Sequence, residues 1–335
     1  MLSLPRKIEG KTIIISPLNW GLGHASRIVP LIEWLHKRNT LIIAGEQPSL
    51  SFLQSRFPQI KHVETGKTNF HFSPDFFSIK NLIKFYGHLR QTIETDKILA
   101  DKLAGEHAAD IIISDNRYGF RSHKTLNILI THQLTLKTPW SKLFDLLTRL
   151  MVFSLVKPFD EIWIPDSPQL HLSGRLGKNY LGPKAKYIGL LSRFCKTSPL
   201  KQTAYKYDFC VIISGPEPSR SIVEKQIINF LERKNARSII LAGNTTSSIS
   251  FDTHNIEYRS MADDATLLQV IQNSETIITT AGYSTIMDMY CLHKKVVLIP
   301  TPHQTEQEYL AHYLSRKYPE RYSYFSISEL TTKIW

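Results

Sequence analysis

Short runs of apolar, mostly β-branched residues alternate along this chain with longer segments whose apolar positions recur at helical spacing. Several short runs are apolar almost throughout, such as IIIS at 13–16 and VVLIP at 296–300, which is typical of strands covered on both faces. The pattern therefore predicts parallel sheets flanked by helices, an α/β fold. The predicted strands are Thr12–Ser16, Thr40–Ala44, Ile60–Glu64, Asp110–Ser114, Asn127–Thr131, Glu161–Ile164, Asp208–Ser214, Ser238–Ala242, Asn255–Tyr258, Thr276–Thr280 and Lys295–Ile299.

The strand–helix pattern restarts once. Ile13–Ser16 leads through a Gly-rich turn into a predicted helix at Ala25–Lys37, and Phe209–Ser214 leads through a Gly/Pro/Ser turn into one at Ser221–Arg233. Between the two halves, the Gly- and Pro-containing segment Gly182–Ser198 predicts a linker. We therefore expect two Rossmann-like, doubly wound domains that face a cleft, the first ending at residue 190 and the second running from 191 to 335. Whether the last helix returns to the first domain is left open.

The composition is that of a globular protein, with 42% hydrophobic and 21% charged residues. Lys and Arg outnumber Asp and Glu by 41 to 29, and the net charge of +12 favours a phosphate-bearing ligand, an anionic membrane surface or a polyanion. A nucleic-acid partner is not expected, because no helix–turn–helix, RNA-recognition or zinc-finger motif accompanies the charge. The three cysteines (Cys195, Cys210 and Cys291) contain no CxxC pair, which excludes a disulfide framework and a Cys-type zinc site and is typical of a reducing, cytoplasmic compartment.

The first candidate for chemistry is SPLNWGLGHASR at 16–27, which follows the first strand and opens a helix. Gly21 and Gly23 permit positive φ and close backbone approach, and a helix start offers N–H groups and a positive dipole end to an anion or a developing oxyanion. His24 lies at this opening, with Arg27 one turn further on. The alternative is a plain strand–helix turn that His24 caps, with Arg27 in solvent.

The second candidate is SGPEPSR at 214–220, where the second half begins. Gly215, Ser219 and Arg220 would supply backbone amides, a hydroxyl and a guanidinium to a diphosphate, with no metal required. A turn stiffened by proline explains the same residues equally well.

The third candidate is TTAGYSTIMD at 279–288. Gly282 follows a buried strand, and Ser284 and Thr285 lie at a helix N-terminus. Asp288 follows Thr285 at capping-box spacing, and a carboxylate in that position could instead hold a ribose diol.

Further polar residues follow the carboxyl ends of predicted strands, where α/β folds bind ligands. Gln307 and Glu308 come after the strand at 295–299. In the first half, Asp115, His132 and Gln133 come after two others, and Asp115 and His132 are candidate bases or acceptor clamps. For Asp115, an ordinary strand-end turn is the alternative.

At this point the chain resembles a known family. TTAGYSTIMDM followed by VVLIPTPHQTEQEYLAHYL is similar to the nucleotide-sugar motif of GT-B-fold glycosyltransferases, in particular glycosyltransferase family 28. That family includes the bacterial enzyme that adds N-acetylglucosamine to the lipid precursor of peptidoglycan, and plant galactolipid synthases. GLGHASR resembles their N-terminal Gly-Gly-His loop. The resemblance implies that Gly282, Ser284 and Thr285 approach the diphosphate, that Asp288 holds the ribose, and that Gln307 and Glu308 contact the sugar hydroxyls.

These features predict a glycosyltransferase that moves a sugar from a nucleotide-sugar donor, uridine-linked by resemblance, to a hydroxyl acceptor, with a lipid-linked acceptor as one option. No metal or other cofactor is expected. His24 is the first candidate for the catalytic base and Asp115 the second, and Arg220 would stabilise the departing charge. Two alternatives stay open. GLGHASR also resembles the loop of a sugar-nucleotide hydrolase of nonulosonic acid synthesis, and a catalytically silent nucleotide-sugar-binding protein would share the same residues.

Two segments bear on membrane contact. Trp140–Pro158 is helical in composition and apolar on most sides, and a buried helix is the preferred interpretation. The alternative is a helix that dips into the inner face of the membrane. Phe70–Leu103 is a second candidate, with Phe76, Phe77, Phe85 and Tyr86 among basic residues. No stretch predicts a secretory signal, and none reaches the roughly 20 apolar residues of a transmembrane helix.

Overall fold

The computed structural model describes residues 2–66, 79–137, 142–197, 204–213, 215, 218–243, 255–260 and 262–332. The chain divides into two compact units, Met1–Leu191 and Ser192–Trp335. Of the residues singled out above, Phe76, Phe77, Trp140, Ser214, Pro216 and Glu217 lie outside the described residues, as do the side chains of Phe85, Tyr86 and Lys142.

The first unit is a parallel sheet with helices between its strands. Its strands are β1 (Thr12–Pro17), β2 (Thr40–Gly45), β3 (Lys61–Glu64), β4 (Ile111–Asp115), β5 (Leu126–Ile130), β6 (Glu161–Ile164) and β7 (Ala185–Tyr187). Its helices are α1 (Leu22–Leu35), α2 (Ser49–Arg56), α3 (Ile79–Glu106) and α4 (Lys142–Val156). Among the described residues the strands form one sheet in the order β3-β2-β1-β4-β5-β6-β7.

The second unit repeats this design. Its strands are β8 (Tyr207–Ile212), β9 (Ser238–Leu241), β10 (Ile256–Arg259), β11 (Ser274–Thr279), β12 (Lys295–Leu298) and β13 (Tyr322–Tyr324). Its helices are α5 (Ser219–Lys234), α6 (Asp264–Gln272), α7 (Tyr283–Cys291), α8 (Thr305–Lys317) and α9 (Ile327–Thr332). In the described part of this unit the parallel order is β10-β9-β8-β11-β12-β13.

The predicted fold class, with two doubly wound parallel sheets, is confirmed. Each predicted strand overlaps an observed one, because continuous apolar runs are buried in both sheets. Strands β7 and β13 were not predicted. Each is a three-residue strand at a sheet edge, with one buried position, so neither carries a hydrophobic pattern. The last helix, α9, packs against α5 of its own unit.

Helix α1 begins at Leu22, earlier than the predicted Ala25, so the glycine turn after β1 is short. Gly21 precedes the helix with φ 68° and ψ 179°, a backbone conformation essentially restricted to glycine. His24 therefore lies inside the first turn of α1.

One disulfide, Cys195–Cys291, lies within the second unit and was not predicted. The number and spacing of the cysteines had excluded a disulfide framework. A single bond between residues separated by 96 positions needs no framework, and the sequence contains no signal for a pairing at this distance. The bond ties the segment that opens the second unit to the end of α7.

Helix α4 corrects the preferred interpretation of a buried helix. Val152 and Val156 are buried, but Leu146, Leu150 and Phe153 on the other side are 49%, 59% and 49% exposed. Only one face therefore packs on the first unit, against a cluster that includes β5 and β6. Among the described helices, none is both long and apolar enough to cross a bilayer.

The loop after β4 is held by a buried ion pair. Arg117 donates two hydrogen bonds to Asp96 of α3 and reaches Ser16 Oγ (2.9 Å) and Thr65 Oγ1 (3.1 Å). Gly119 lies where this loop crosses α3. A Cβ there would stand 2.5 Å from the carbonyl oxygen of Ile93, which no side chain can occupy without a backbone shift.

Replacing Gly119 with Ala should lower the free energy of unfolding by about 1–3 kcal/mol, since either the loop or α3 must move. Gly87→Ala, on α3 where an added Cβ meets nothing within 4 Å, is the matched control and should stabilise the protein by up to about 1 kcal/mol. Urea denaturation measures both. Equal midpoints for Gly119→Ala and the wild type would contradict the packing described.

Candidate active site

The turns that carry His24, Asp115, Gly215 and Gly282 lie where the strand order of their own sheet reverses. In the first unit this point is between β1 and β4, and in the second it is between β8 and β11. The loops after two such strands run to opposite faces and leave a crevice at the carboxyl edge, the usual ligand site of open α/β sheets. The topology thus brings the His24 turn to Asp115 in one unit and the Gly215 loop to Gly282 in the other.

In the first unit, a buried carboxylate gathers side chains from α1. Asp115 ends β4 and is fully buried. The Nδ1 of His24 lies 3.0 Å from its Oδ2. Arg27 donates from Nε to both carboxylate oxygens (3.1 and 2.9 Å) and from a terminal nitrogen to Oδ1. Because His24 and Arg27 are three residues apart, they share one face of α1 and grip the same carboxylate.

The pKa values of both Asp115 and His24 are lowered in this cluster. Burial alone would raise the pKa of Asp115, but Arg27 and His24 lower it to about 2. For His24, burial lowers the pKa below its ordinary value, Arg27 lowers it further, and Asp115 only partly opposes them. At neutral pH the cluster therefore holds an ionised carboxylate and an uncharged imidazole.

Two further residues after β5 were predicted to line this site. His132 is buried, and its Nδ1 accepts a hydrogen bond from Arg27 Nη1 at 3.3 Å, so the structure brings it into the cluster. Gln133 is half-buried, and its backbone N–H donates to Thr131 Oγ1 at 3.1 Å. The predicted role of Gln133 in substrate binding stays a prediction.

In the second unit, the loop after β8 meets α5. Gly215 has φ 136°, and Ser219 is the first residue of α5. Arg220 is buried, donates to the carbonyl of Ala242 at 3.0 Å, and pairs with Glu224 at 3.3 Å. Its guanidinium therefore supports the neighbouring strand end, and its predicted contact with a diphosphate stays a prediction.

The turn between β11 and α7 carries the third predicted group. Gly282 precedes α7, and a Cβ at this glycine would meet nothing within 4 Å. Ser284 and Thr285 lie in the first turn of α7 and are partly exposed. Backbone N–H groups at such a helix start suit a phosphate, and the diphosphate contact of Gly282, Ser284 and Thr285 stays a prediction.

Asp288 has partners inside its own unit. It is 8% exposed, accepts a hydrogen bond from Ser192 Oγ at 2.5 Å, and lies 3.6 Å from Arg193 Nε. Burial raises its pKa, against the lowering effect of Arg193 and Ser192. The carboxylate thus anchors the segment that opens the second unit, and ribose binding by Asp288 stays a prediction.

Gln307 and Glu308 shape the loop before α8. The side-chain oxygen of Gln307 accepts from the N–H of Thr301 at 2.8 Å, and Glu308 accepts from the N–H of His303 at 3.2 Å. His303 has φ 66°, so these bonds support a left-handed backbone position. The predicted contacts with sugar hydroxyls are untested.

Three residues at these sites were missed from the sequence: Ser192, Arg193 and Asn116. Ser192 and Arg193 lie in the predicted linker, and no local pattern points to Asp288 as their partner. Asn116 follows Asp115 with φ 54°, and its buried Oδ1 has no hydrogen-bond partner within the described residues. The sequence did contain a signal for this backbone conformation, because Asn is one of the few residue types that adopt a positive φ at a strand end.

No three His, Cys, Asp or Glu side chains in the described part of the chain gather so that they could hold a metal ion.

Residues 224–330 match the model of the glycosyltransferase family 28 C-terminal domain. The match includes α7, the loop before α8 and α8 itself, the elements that carry the sequence resemblance. No curated protein sequence matches the chain significantly.

Solved structures match the chain over most of its length. CalG4, the calicheamicin glycosyltransferase, has a TM-score of 0.63 at 9% identity, over 96% of this chain and 87% of its own. The spinosyn rhamnosyltransferase SpnG complexed with thymidine diphosphate has 0.61 at 10%, over 94% and 86%. SnogD from Streptomyces nogalater has 0.60 at 11%, over 96% and 88%. At such identities these matches establish the fold.

The family match and the fold confirm the resemblance seen in the sequence. Residues 224–330 are therefore similar to the C-terminal domain of glycosyltransferase family 28, and the chain has the GT-B fold.

Proposed function

We propose that the protein is a glycosyltransferase that takes its sugar from a uridine-linked donor, transfers it to a hydroxyl acceptor and needs no bound metal ion. The donor is assigned to the unit Ser192–Trp335 and the acceptor to Met1–Leu191. The observation that carries the proposal is the 3.0 Å contact between His24 and the ionised Asp115 at the switch point of the first sheet.

His24 is the base in this proposal, and Asp115 orients it. The His24 side chain retains 13% exposure, whereas that of Asp115 retains none, so only the imidazole can meet an acceptor. With Nδ1 facing Asp115, the proton of the acceptor hydroxyl moves to Nε2. The acceptor oxygen then bonds to the anomeric carbon. The bond from that carbon to the diphosphate oxygen breaks, and the nucleoside diphosphate leaves with the electron pair.

The donor site is proposed at the start of α7. The backbone amides near Gly282, Ser284 and Thr285 receive the diphosphate, where the helix dipole balances the charge that a metal ion would otherwise offset. Arg220 adds positive charge from α5. Asp288 would hold the ribose, and Gln307 and Glu308 the sugar, by exchanging part of their present bonds.

A panel of nucleotide sugars tests this proposal on the full chain. A UDP-sugar should raise the Tm and, with a hydroxyl acceptor, release UDP at a rate that EDTA leaves unchanged. If a thymidine-linked donor is preferred to UDP-sugars, the nucleobase of the proposed donor is thymine and not uracil. Free sugar formed without acceptor would instead establish a hydrolase, and a raised Tm without turnover under any acceptor would establish a silent binder.

His24→Ala should lower kcat by about 10²–10⁴-fold and leave the donor Kd nearly unchanged, because it removes the proton acceptor and no donor contact. His123→Ala is the matched control. That imidazole also lies near a carboxylate, 3.1 Å from Asp101, but it is 73% exposed and should be dispensable. UDP release and donor titration measure both. A large loss of donor affinity with unchanged kcat would make His24 a binding residue instead.

Helix α4 supports a further part of the proposal, a contact with an anionic membrane surface. Leu146, Leu150 and Phe153 follow one another at helical spacing and are all exposed. Basic groups lie beside them: Arg149 stacks on Tyr180 at 3.8 Å, with Lys178 5.6 Å from the same ring. An apolar stripe with a basic rim suits acyl chains below anionic headgroups, as a lipid-linked acceptor would require.

Replacing Leu146, Leu150 and Phe153 with Ser should weaken co-sedimentation with vesicles rich in anionic lipid by about tenfold or more, since three apolar anchors are lost. Ile98→Ser, on α3 and 71% exposed, is the control and should bind as the wild type does. Added salt should weaken wild-type binding. Equal sedimentation of the triple variant and the wild type would remove the membrane contact from the proposal.

A further inference from the structure

The guanidinium of Arg27 forms hydrogen bonds with other side chains of the protein. The side chain is 2% exposed. Two of its nitrogens bind Asp115, and the third donates to His132 Nδ1 at 3.3 Å. Arg27 was also a sequence candidate for substrate binding, and that role stays a prediction. The contact with Arg27 also fixes the tautomer of His132. A guanidinium can only donate a hydrogen bond, so Nδ1 of His132 must be the unprotonated ring nitrogen.

The charge count of the cluster explains what this contact does. Asp115 carries one negative charge and Arg27 one positive charge, so the buried pair is neutral before His24 takes part. A proton on His24 would add an uncompensated positive charge in a buried place, at a cost in free energy. Without Arg27, the same carboxylate would be balanced by a protonated imidazole, and His24 would form an ion pair with it.

We infer that Arg27 is a positioning residue that neutralises Asp115 and so keeps His24 uncharged, with its proton on Nδ1 and Nε2 available as a base. The inference rests on the proposed function for its catalytic meaning, but its charge balance concerns the protein alone. The lowered pKa of His24 agrees with it, since Arg27 follows burial as a cause of that lowering.

The groups that act on His24 in the described part of the chain come from three elements. Arg27 lies on its own helix α1, Asp115 ends β4, and His132 follows β5. Asp115 raises the pKa of His24, whereas Arg27 and His132 lower it. A change at Arg27 therefore removes a lowering effect and leaves the raising effect of Asp115 in full.

The test is an NMR titration of the His24 ring in the full chain, with its signals assigned by their loss in His24→Ala. In the wild type, His24 should titrate below the ordinary value of about 6.5 and carry its proton on Nδ1. Arg27→Gln should raise this pKa by about one unit or more, and Arg27→Lys, which keeps the positive charge, should stay near the wild type. The acid limb of UDP release should move to higher pH in Arg27→Gln.

Several results would overturn the inference. These are a wild-type His24 that titrates above its ordinary value, a proton on Nε2, or equal pKa values in Arg27→Gln and the wild type. If Arg27→Gln does not fold, the wild-type titration and Arg27→Lys still decide, since a pKa raised in Arg27→Lys would show that charge is not what Arg27 supplies. The titration needs no turnover. A protein without transferase activity but with these pKa values would refute the proposed function alone, and an active protein without them would refute the role of Arg27 alone.

Discussion

A carboxylate buried at the end of a central strand is the constraint on which the first unit depends. Asp115 is fully removed from solvent, and an isolated charge there would be very unfavourable. Its hydrogen bonds to Arg27 and His24 solve that problem and at the same time tie α1 to β4. The interaction that makes the fold tolerable therefore also places an uncharged imidazole at the carboxyl edge of the sheet.

The second unit has the same kind of strand order as the first. Its sheet also reverses order, between β8 and β11, and two glycine-containing turns open there. The polar residues around this edge mostly serve the fold: Arg220 caps a strand end, Asp288 holds Ser192, and Gln307 supports a loop. In the proposed donor site, this unit would therefore offer a phosphate chiefly backbone N–H groups.

Helix α4 has one apolar face that is buried and another that is exposed. Helix α4 buries Val152 and Val156 in the first unit, so its apolar composition is partly explained by packing. The exposed stripe at Leu146, Leu150 and Phe153 is not explained in this way, and exposed apolar residues placed together usually have a partner.

In the second unit, the disulfide Cys195–Cys291 is a local covalent constraint, since it anchors the segment beside Ser192 to α7.

Continuous apolar runs, their alternation with amphipathic segments and the repeated strand–glycine–helix turn were enough to predict two doubly wound sheets. The similarity to glycosyltransferase family 28 came separately, from the motifs around residues 279–314 and 21–27. The runs and turns were also enough to single out His24, Arg27, Asp115 and His132 one by one, because residues at strand ends and helix starts are placed by local pattern. The contacts of Asp115 with His24 and Arg27 could not be predicted from the sequence, since they join positions about ninety residues apart. Only the tertiary structure decided that Arg27 faces Asp115 and that Asp288 meets Ser192. A side chain's partner depends on which strands become neighbours, and strand order is a property of the whole sheet.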